Sequence, residues 1–335
     1  MPDTLTDFLL VVGGIVVLLA GGEFLVRGAT ALARRLGVPA LIVGLTIVAF
    51  GTSAPEMVVS VFAALEGEPG LALGNIVGSN IANILLVLGV PAIFAVLATN
   101  LKGVGRNTLI ASAATALFIF MSIDGELSLN EGYILAAGIV AYLVFLAFTA
   151  MAHAEDPVLA EMTDVDHMEG LPKSAALIGI YTLAGVVLLP AGAQLIVTGA
   201  SGIASTMGVP QALIGLTIVA IGTSLPELAT ALVAAMRRQA EMAIGNVIGS
   251  NIFNLLAVGG ITAISSAWVL GQPAQIPEAF MRFDYWVMVG AMAAIAGLVF
   301  TKNPLGLRIG LIFTLAYLCY IGYIAVGAMM TAGML

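Results

Sequence analysis

The sequence predicts an all-α integral membrane protein of ten transmembrane helices, arranged as two five-helix repeats of inverted topology with both termini outside. Three observations predict it. Of the 335 residues, 61% are apolar and 9% charged, where soluble domains carry about a quarter charged residues, so a soluble globular protein is excluded. Apolar runs long enough to cross a bilayer, about 20 residues each, recur along the chain. A long motif also occurs twice at one fixed spacing.

Charge, Pro and Gly interrupt the apolar runs and place spans near 7–27, 39–65, 71–98, 106–122 and 131–151, then near 174–198, 210–236, 242–268, 284–301 and 306–330. Residues 1–151 form the first repeat, 152–173 an acidic cytoplasmic linker, and 174–335 the second repeat. Barrel strands would alternate in polarity over about ten residues, and the Leu, Ile, Val and Ala runs do not. Asp3 and Asp7 stand where a secretory signal carries positive charge, so the first run reads as a retained span.

Cytoplasmic loops collect Lys and Arg. With the N-terminus outside, Arg27, Arg34, Arg35, Lys102, Arg106, Lys173, Arg237, Arg238, Lys302 and Arg308 fall in or beside cytoplasmic loops and only Arg282 falls outside. A missed span would invert the parity of every later loop, so this pattern supports ten spans with both termini outside; a plasma or inner membrane is the expected location. The formal net charge of −8, with 11 Lys+Arg, excludes a nucleic-acid partner. Lone Cys319 provides neither a disulfide framework nor a thiolate cluster. No room remains for a soluble catalytic domain, and neither an enzyme nor a resident cofactor is expected. The linker acids Glu155, Asp156, Glu161, Asp164, Asp166 and Glu169 contain no Asp-x-Asp-x-Asp-Gly calcium loop and read as a solvated connection.

The repeat carries the chemistry. GLTIVAFGTSAPE at Gly44 recurs as GLTIVAIGTSLPE at Gly215, and GNIVGSNIANILLVLG at Gly74 recurs as GNVIGSNIFNLLAVGG at Gly245, both at an offset of 171. Gly28, Gly37 and Pro39 are mirrored by Gly199, Gly208 and Pro210. Five spans per repeat is an odd number, so the copies sit in opposite orientations, as alternating-access transporters do. Glu56 and Glu227 are equivalent, and ionisable groups at mid-span are functional by default. Inverted symmetry would bring both carboxylates to the midplane, where mutual repulsion favours a shared cation or a proton.

Oxygen ligands surround each acid. Thr52 lies four residues before Glu56 with Ser53 beside it, and Thr223, Ser224 and Glu227 repeat this. Pro55 and Pro226 cannot donate to the carbonyls of Gly51 and Gly222 and are expected to free them. On the next span Asn75, Ser79 and Asn83 step by four, copied by Asn246, Ser250 and Asn254. Gly74-xxx-Gly78 and Gly245-xxx-Gly249 are expected to let this stripe press against the Glu-bearing helix. Every candidate ligand is oxygen, which excludes soft-metal sites and suits Ca²⁺ with its 6–8 flexible oxygens, or Na⁺, better than Mg²⁺. Competition for shared oxygens would give exchange. Glu23, mirrored by Gln194, reads as the remaining intramembrane acid, snorkelling to the interface.

The paired GTS-x-PE and G-N-x-x-G-S-N motifs resemble the α-repeats of the calcium/cation antiporter superfamily, most closely its prokaryotic sodium/calcium exchangers, with α-repeats at about 39–98 and 210–268. The resemblance implies an ion core of spans two, three, seven and eight, with the first and sixth sliding past it. It implies calcium ligation by Glu56, Glu227, Thr52 and Thr223, and sodium ligation by Ser53, Ser224, Ser79, Ser250 and the Ala49 and Ala220 carbonyls. Relatives that co-transport potassium carry Asp at one of the positions of Asn83 and Asn254; Asn can coordinate but supplies no charge. The expected function is Na⁺/Ca²⁺ antiport in a lipid bilayer, with proton-coupled divalent antiport as the alternative. A cation channel, which would conduct without coupling, and an intramembrane hydrolase, which would lack a His in any span, fit less well.

Overall fold

In hydrocarbon the backbone must satisfy its own N–H and C=O groups, and an apolar run without polar alternation does so as a helix. The computed structural model describes residues 4–154, 170–207, 218 and 220–331. Its main elements are α1 (Thr4–Leu36), α2 (Ala40–Leu65), α3 (Pro69–Phe94), α4 (Val104–Ser122) and α5 (Leu129–Ala154). They are followed by α6 (Ala175–Thr206), α7 (Leu225–Met236), α8 (Ala240–Leu270), α9 (Phe280–Phe300) and α10 (Leu307–Thr331). Among the described residues nine helices are long and apolar enough to cross a membrane, and α7 is a shorter apolar helix. The protein is an all-α, multi-pass membrane protein. Residues 208–217 and 219, which hold Gly208, Pro210, Gly215 and the start of the expected seventh span, lie outside the described residues. So do 155–169, with the six linker acids and His167.

Two helices outrun their expected spans. α1 has 33 residues and α6 has 32, which at 1.5 Å per residue is about 50 Å, well beyond the hydrocarbon thickness. A glycine seam holds them together. Gly14, Gly21 and Gly28 on α1, and Gly185, Gly192 and Gly199 on α6, recur every seventh residue, so each set lies along one face. A Cβ at Gly21 would stand 2.9 Å from Leu189 N, at Gly28 2.7 Å from Thr182 N, at Gly185 2.6 Å from Leu25 N, and at Gly192 2.6 Å from Leu18 N. The contacting residue numbers fall on one helix as they rise on the other, so the backbones run antiparallel. Opposite orientation of the two halves requires this.

α3 and α8 are the most enclosed spans, whereas α5, α6 and α10 are largely outward-facing. Both enclosed helices are interrupted at equivalent places by a π-helical turn, Asn83–Val87 and Asn254–Val258, 171 residues apart. A third, Gly44–Val48, lies in α2. Such wide turns loosen the regular backbone ladder and recur at functional sites. Strands β1 (Glu126–Leu127) and β2 (Ala274–Gln275) pair antiparallel and tie the α4–α5 connection to the α8–α9 connection. A bridge between Leu97 and Leu305 joins the α3–α4 and α9–α10 connections.

Candidate cation-binding site

Glu56 projects from α2 and Glu227 from the first turn of α7, both buried. Each carboxyl lies within electrostatic reach of the other. The neighbouring hydroxyls reach across the repeat boundary. Ser53 Oγ donates to Glu227 Oε1 at 2.9 Å. The Thr52 hydroxyl lies 3.1 Å from Asn246 Oδ1 and 3.3 Å from the Ala49 carbonyl. Thr223 Oγ1 donates to Asn75 Oδ1 at 3.4 Å. Thr52 with Asn246 and Thr223 with Asn75 are the same bond under the offset of 171, made once in each direction.

The symmetry is incomplete. Asn75 Nδ2 donates to the Glu56 carbonyl at 3.2 Å and to Ser60 Oγ at 3.0 Å, which fixes the backbone under the first acid. The position equivalent to Ser60 is Ala231, whose side chain offers no acceptor, and Asn246 Nδ2 has no hydrogen-bond partner among the described residues. The helix also treats its two prolines differently. Pro55 lies inside the continuous stretch Ala49–Leu65, whereas Pro226 opens a new helix after a break at Ser224, preceded by the helical turn Ala220–Thr223. Equivalent helix breaks are therefore not formed.

Ser79, Ser250, Asn83 and Asn254 are buried along the adjoining faces of α3 and α8, and the two Asn open the π-helical turns. Asn83 Nδ2 donates to Asn251 Oδ1 at 3.0 Å, and Asn251 Nδ2 to the Asn80 carbonyl at 3.3 Å. The expected close packing of the stripe on the Glu56-bearing helix is found for Gly245 and Gly249 and not for Gly74 and Gly78. A Cβ at Gly245 would meet the Leu41 carbonyl at 2.8 Å, and one at Gly249 would meet Leu45 Cα at 2.8 Å. Gly74 instead faces the Phe280 ring, 3.1 Å from its added Cβ.

Among the described residues, Glu56 Oε1 and Oε2, Glu227 Oε2, Ser224 Oγ, Ser250 Oγ and Asn254 Oδ1 are buried without a hydrogen-bond partner. Leaving such groups unpaired costs about 1–3 kcal/mol each. A hard cation satisfies several at once, so the donor set fits an oxygen-ligated ion.

Two intramembrane acids outside the centre differ from expectation. Glu23 accepts from Arg27 Nε at 2.5 Å and from Arg237 Nε at 3.0 Å, so it is tied to α7 as well as to its own helix. It is one of two such acids rather than the single remaining one. Asp284, placed by the hydropathy pattern at the edge of the ninth span, is buried within α9 and accepts from Tyr320 Oη at 2.7 Å. The signal that could have found it is the apolar run on both sides, Phe280 to Phe283 broken by one Arg and then Tyr285 onward.

A family model described as sodium/calcium exchanger protein matches residues 6–151 and 177–326. The chain belongs to this family. Proteins similar to it include one named "Putative antiporter CaxA" of Alkalimonas amylolytica, 40% identical over 87% of this chain and 88% of that one. The inner membrane protein YrbG of Escherichia coli is 33% identical, covering 93% and 94%. A solved structure of the sodium-calcium exchanger NCX_Mj superposes with a TM-score of 0.79 at 27% identity, covering 96% of this chain and 99% of that one. The exchanger relatives are transporters, and this family member is a cation antiporter, not an enzyme.

Proposed function

We propose that the chain exchanges Na⁺ for Ca²⁺ by alternating access across a plasma or inner membrane, with both termini outside. The convergence of Glu56 and Glu227, two buried acids from inverted halves tied through the hydrogen bond from Ser53 to Glu227, carries this reading. Two carboxylates match the charge of one Ca²⁺ and leave its flexible shell to be filled by neutral oxygens. Thr52 and Thr223 supply hydroxyls beside that ion. Ser53, Ser224, Ser79 and Ser250, with the Ala49 and Ala220 carbonyls, hold Na⁺ in overlapping positions. Asn83 and Asn254 line the site, and Asn75 and Asn246 position the threonines. Because the Na⁺ positions overlap the Ca²⁺ position between Glu56 and Glu227, occupancy by one ion excludes the other, and that exclusion couples the two fluxes. With both acids ionised, three Na⁺ would leave one positive charge more than one Ca²⁺, making such an exchange electrogenic.

Sealed vesicles loaded with Na⁺ test it. An outward Na⁺ gradient should drive ⁴⁵Ca²⁺ uptake, and Glu56→Gln or Glu227→Gln should abolish it. Uptake driven by a pH gradient but by no Na⁺ gradient would replace Na⁺ with H⁺ in the cycle. Ca²⁺ flux that needs no counter-gradient would indicate a channel.

A further inference from the structure

A cavity of about 320 Å³ begins at Asn75, Ser79 and Thr223, on the flank of the Glu pair, and extends between α3, α9 and α10 to Asp284 and Tyr320. Apart from these groups its wall is mostly apolar. Asp284 is a buried carboxyl that has one identified hydrogen-bond donor, Tyr320, on Oδ1. A carboxylate in a recess with low-dielectric walls projects a stronger negative potential, and so attracts cations more strongly, than one at a surface.

The first half offers a comparison. There Tyr142 Oη donates to Asn107 Oδ1 at 3.1 Å, again a tyrosine of the fifth helix bonding a buried residue near the start of the fourth. The partners are 35 residues apart there and 36 in the second half. The tyrosine contact is thus common to both halves, and the charge belongs to one. The cavity of about 390 Å³ that touches Tyr142, beside Ala49 and Gly249, has an apolar lining without a carboxylate. A role in packing alone is met equally well by Asn, as Asn107 shows, so packing does not account for the charge.

We infer that Asp284 is a further cation-binding group, an outlying station that gathers hard cations in the α3–α9–α10 cavity on their way to the central site, from one membrane face only. The face is that of the α2–α3 turn, expected to be the outer one. The inference rests on the cation-exchange reading for its purpose. Two measurements test it separately.

Tb³⁺, a hard oxygen-seeking cation, is titrated into the purified protein while its luminescence is excited through tyrosine, since Tyr317 and Tyr320 line the same cavity. Asp284→Asn should weaken the tyrosine-sensitised titration by about three- to tenfold and leave the tyrosine contact in place. Transport is then followed in right-side-out and inverted membrane vesicles, which present opposite faces. The same variant should raise KM for ⁴⁵Ca²⁺ by a similar factor from the α2–α3 face and leave the maximal rate and the KM from the other face unchanged. Tyr320→Phe, which keeps the charge, should change both readouts less than Asp284→Asn does. An unaltered Tb³⁺ titration in Asp284→Asn, or a KM that changes equally from both faces, overturns the assignment. Wild-type vesicles without coupled Ca²⁺ flux overturn the exchange reading instead, and the Tb³⁺ titration still decides Asp284.

Discussion

Replacing Gly192 by Ala tests the seam between α1 and α6. The added Cβ would lie 2.6 Å from Leu18 N, 2.8 Å from Leu18 Cα and 2.9 Å from Leu18 Cβ. Relaxed contacts of this kind lie at about 3.5–4.0 Å, so the helices must part by about 1 Å. Two of the three opposing atoms are backbone, which no rotamer change can move aside. Overpacking of this sort costs about 1–3 kcal/mol, opposed by about 1 kcal/mol of helix propensity gained on replacing Gly by Ala. With backbone in the way, the upper part of the range applies, giving a net loss of about 1–2 kcal/mol. Gly13 and Gly179 are controls on the same two helices, with no atom within 4 Å of an added Cβ; there Ala should be neutral or stabilising. Thermal unfolding in detergent reads the comparison. Gly192→Ala should melt several degrees below wild type while Gly13→Ala and Gly179→Ala melt at or above it. A Gly192→Ala protein as stable as the controls would refute backbone contact along the seam.

Thr52→Ala removes one neutral oxygen and the hydrogen bond to Asn246, worth about 1 kcal/mol, so Ca²⁺ affinity should fall by about fivefold. Loss as complete as that of Glu56→Gln in the vesicle assay would contradict the ranking of charge over ligand number. Asn251→Leu strands the Asn83 amide and the Asn80 carbonyl in the interior and should destabilise the protein by about 1–3 kcal/mol, measured by thermal unfolding. Arg237→Gln cuts the tie from α7 to Glu23. Both partners are partly exposed, so the stability loss should be at most about 1 kcal/mol and should vanish in about 1 M salt, where charges are screened beyond about 3 Å.

The candidate cation site was legible because duplication marked it. Glu56 and Glu227, Thr52 and Thr223, and the two Asn-Ser-Asn stripes share one offset, and inverted halves must bring equivalent positions together about a common axis. What the offset could not reveal is where the copies diverge. Ser60 has no equivalent at Ala231, so only Asn75 is anchored beneath its acid, and Pro55 and Pro226 sit in differently built helices. The lengths of α1 and α6 were hidden because hydropathy stops at the first charges, Arg27 in one case, whereas the helix continues through them. The heptad of glycines was present in plain letters. Only the fold says that its partner is the other copy of itself. Asp284 went unread because a charge at the margin of an apolar run looks like the margin.

The reciprocal bonds from Thr52 to Asn246 and from Thr223 to Asn75 mean that each half's threonine in the candidate site is held by the far half. A product of half the gene would own a single acid and one end of each tie, and would present a cage only by meeting a second copy inserted upside down. Fusion into one chain turns that chance encounter into a certainty. It also frees the two copies to drift apart in sequence, provided the groups that answer one another across the divide keep faith.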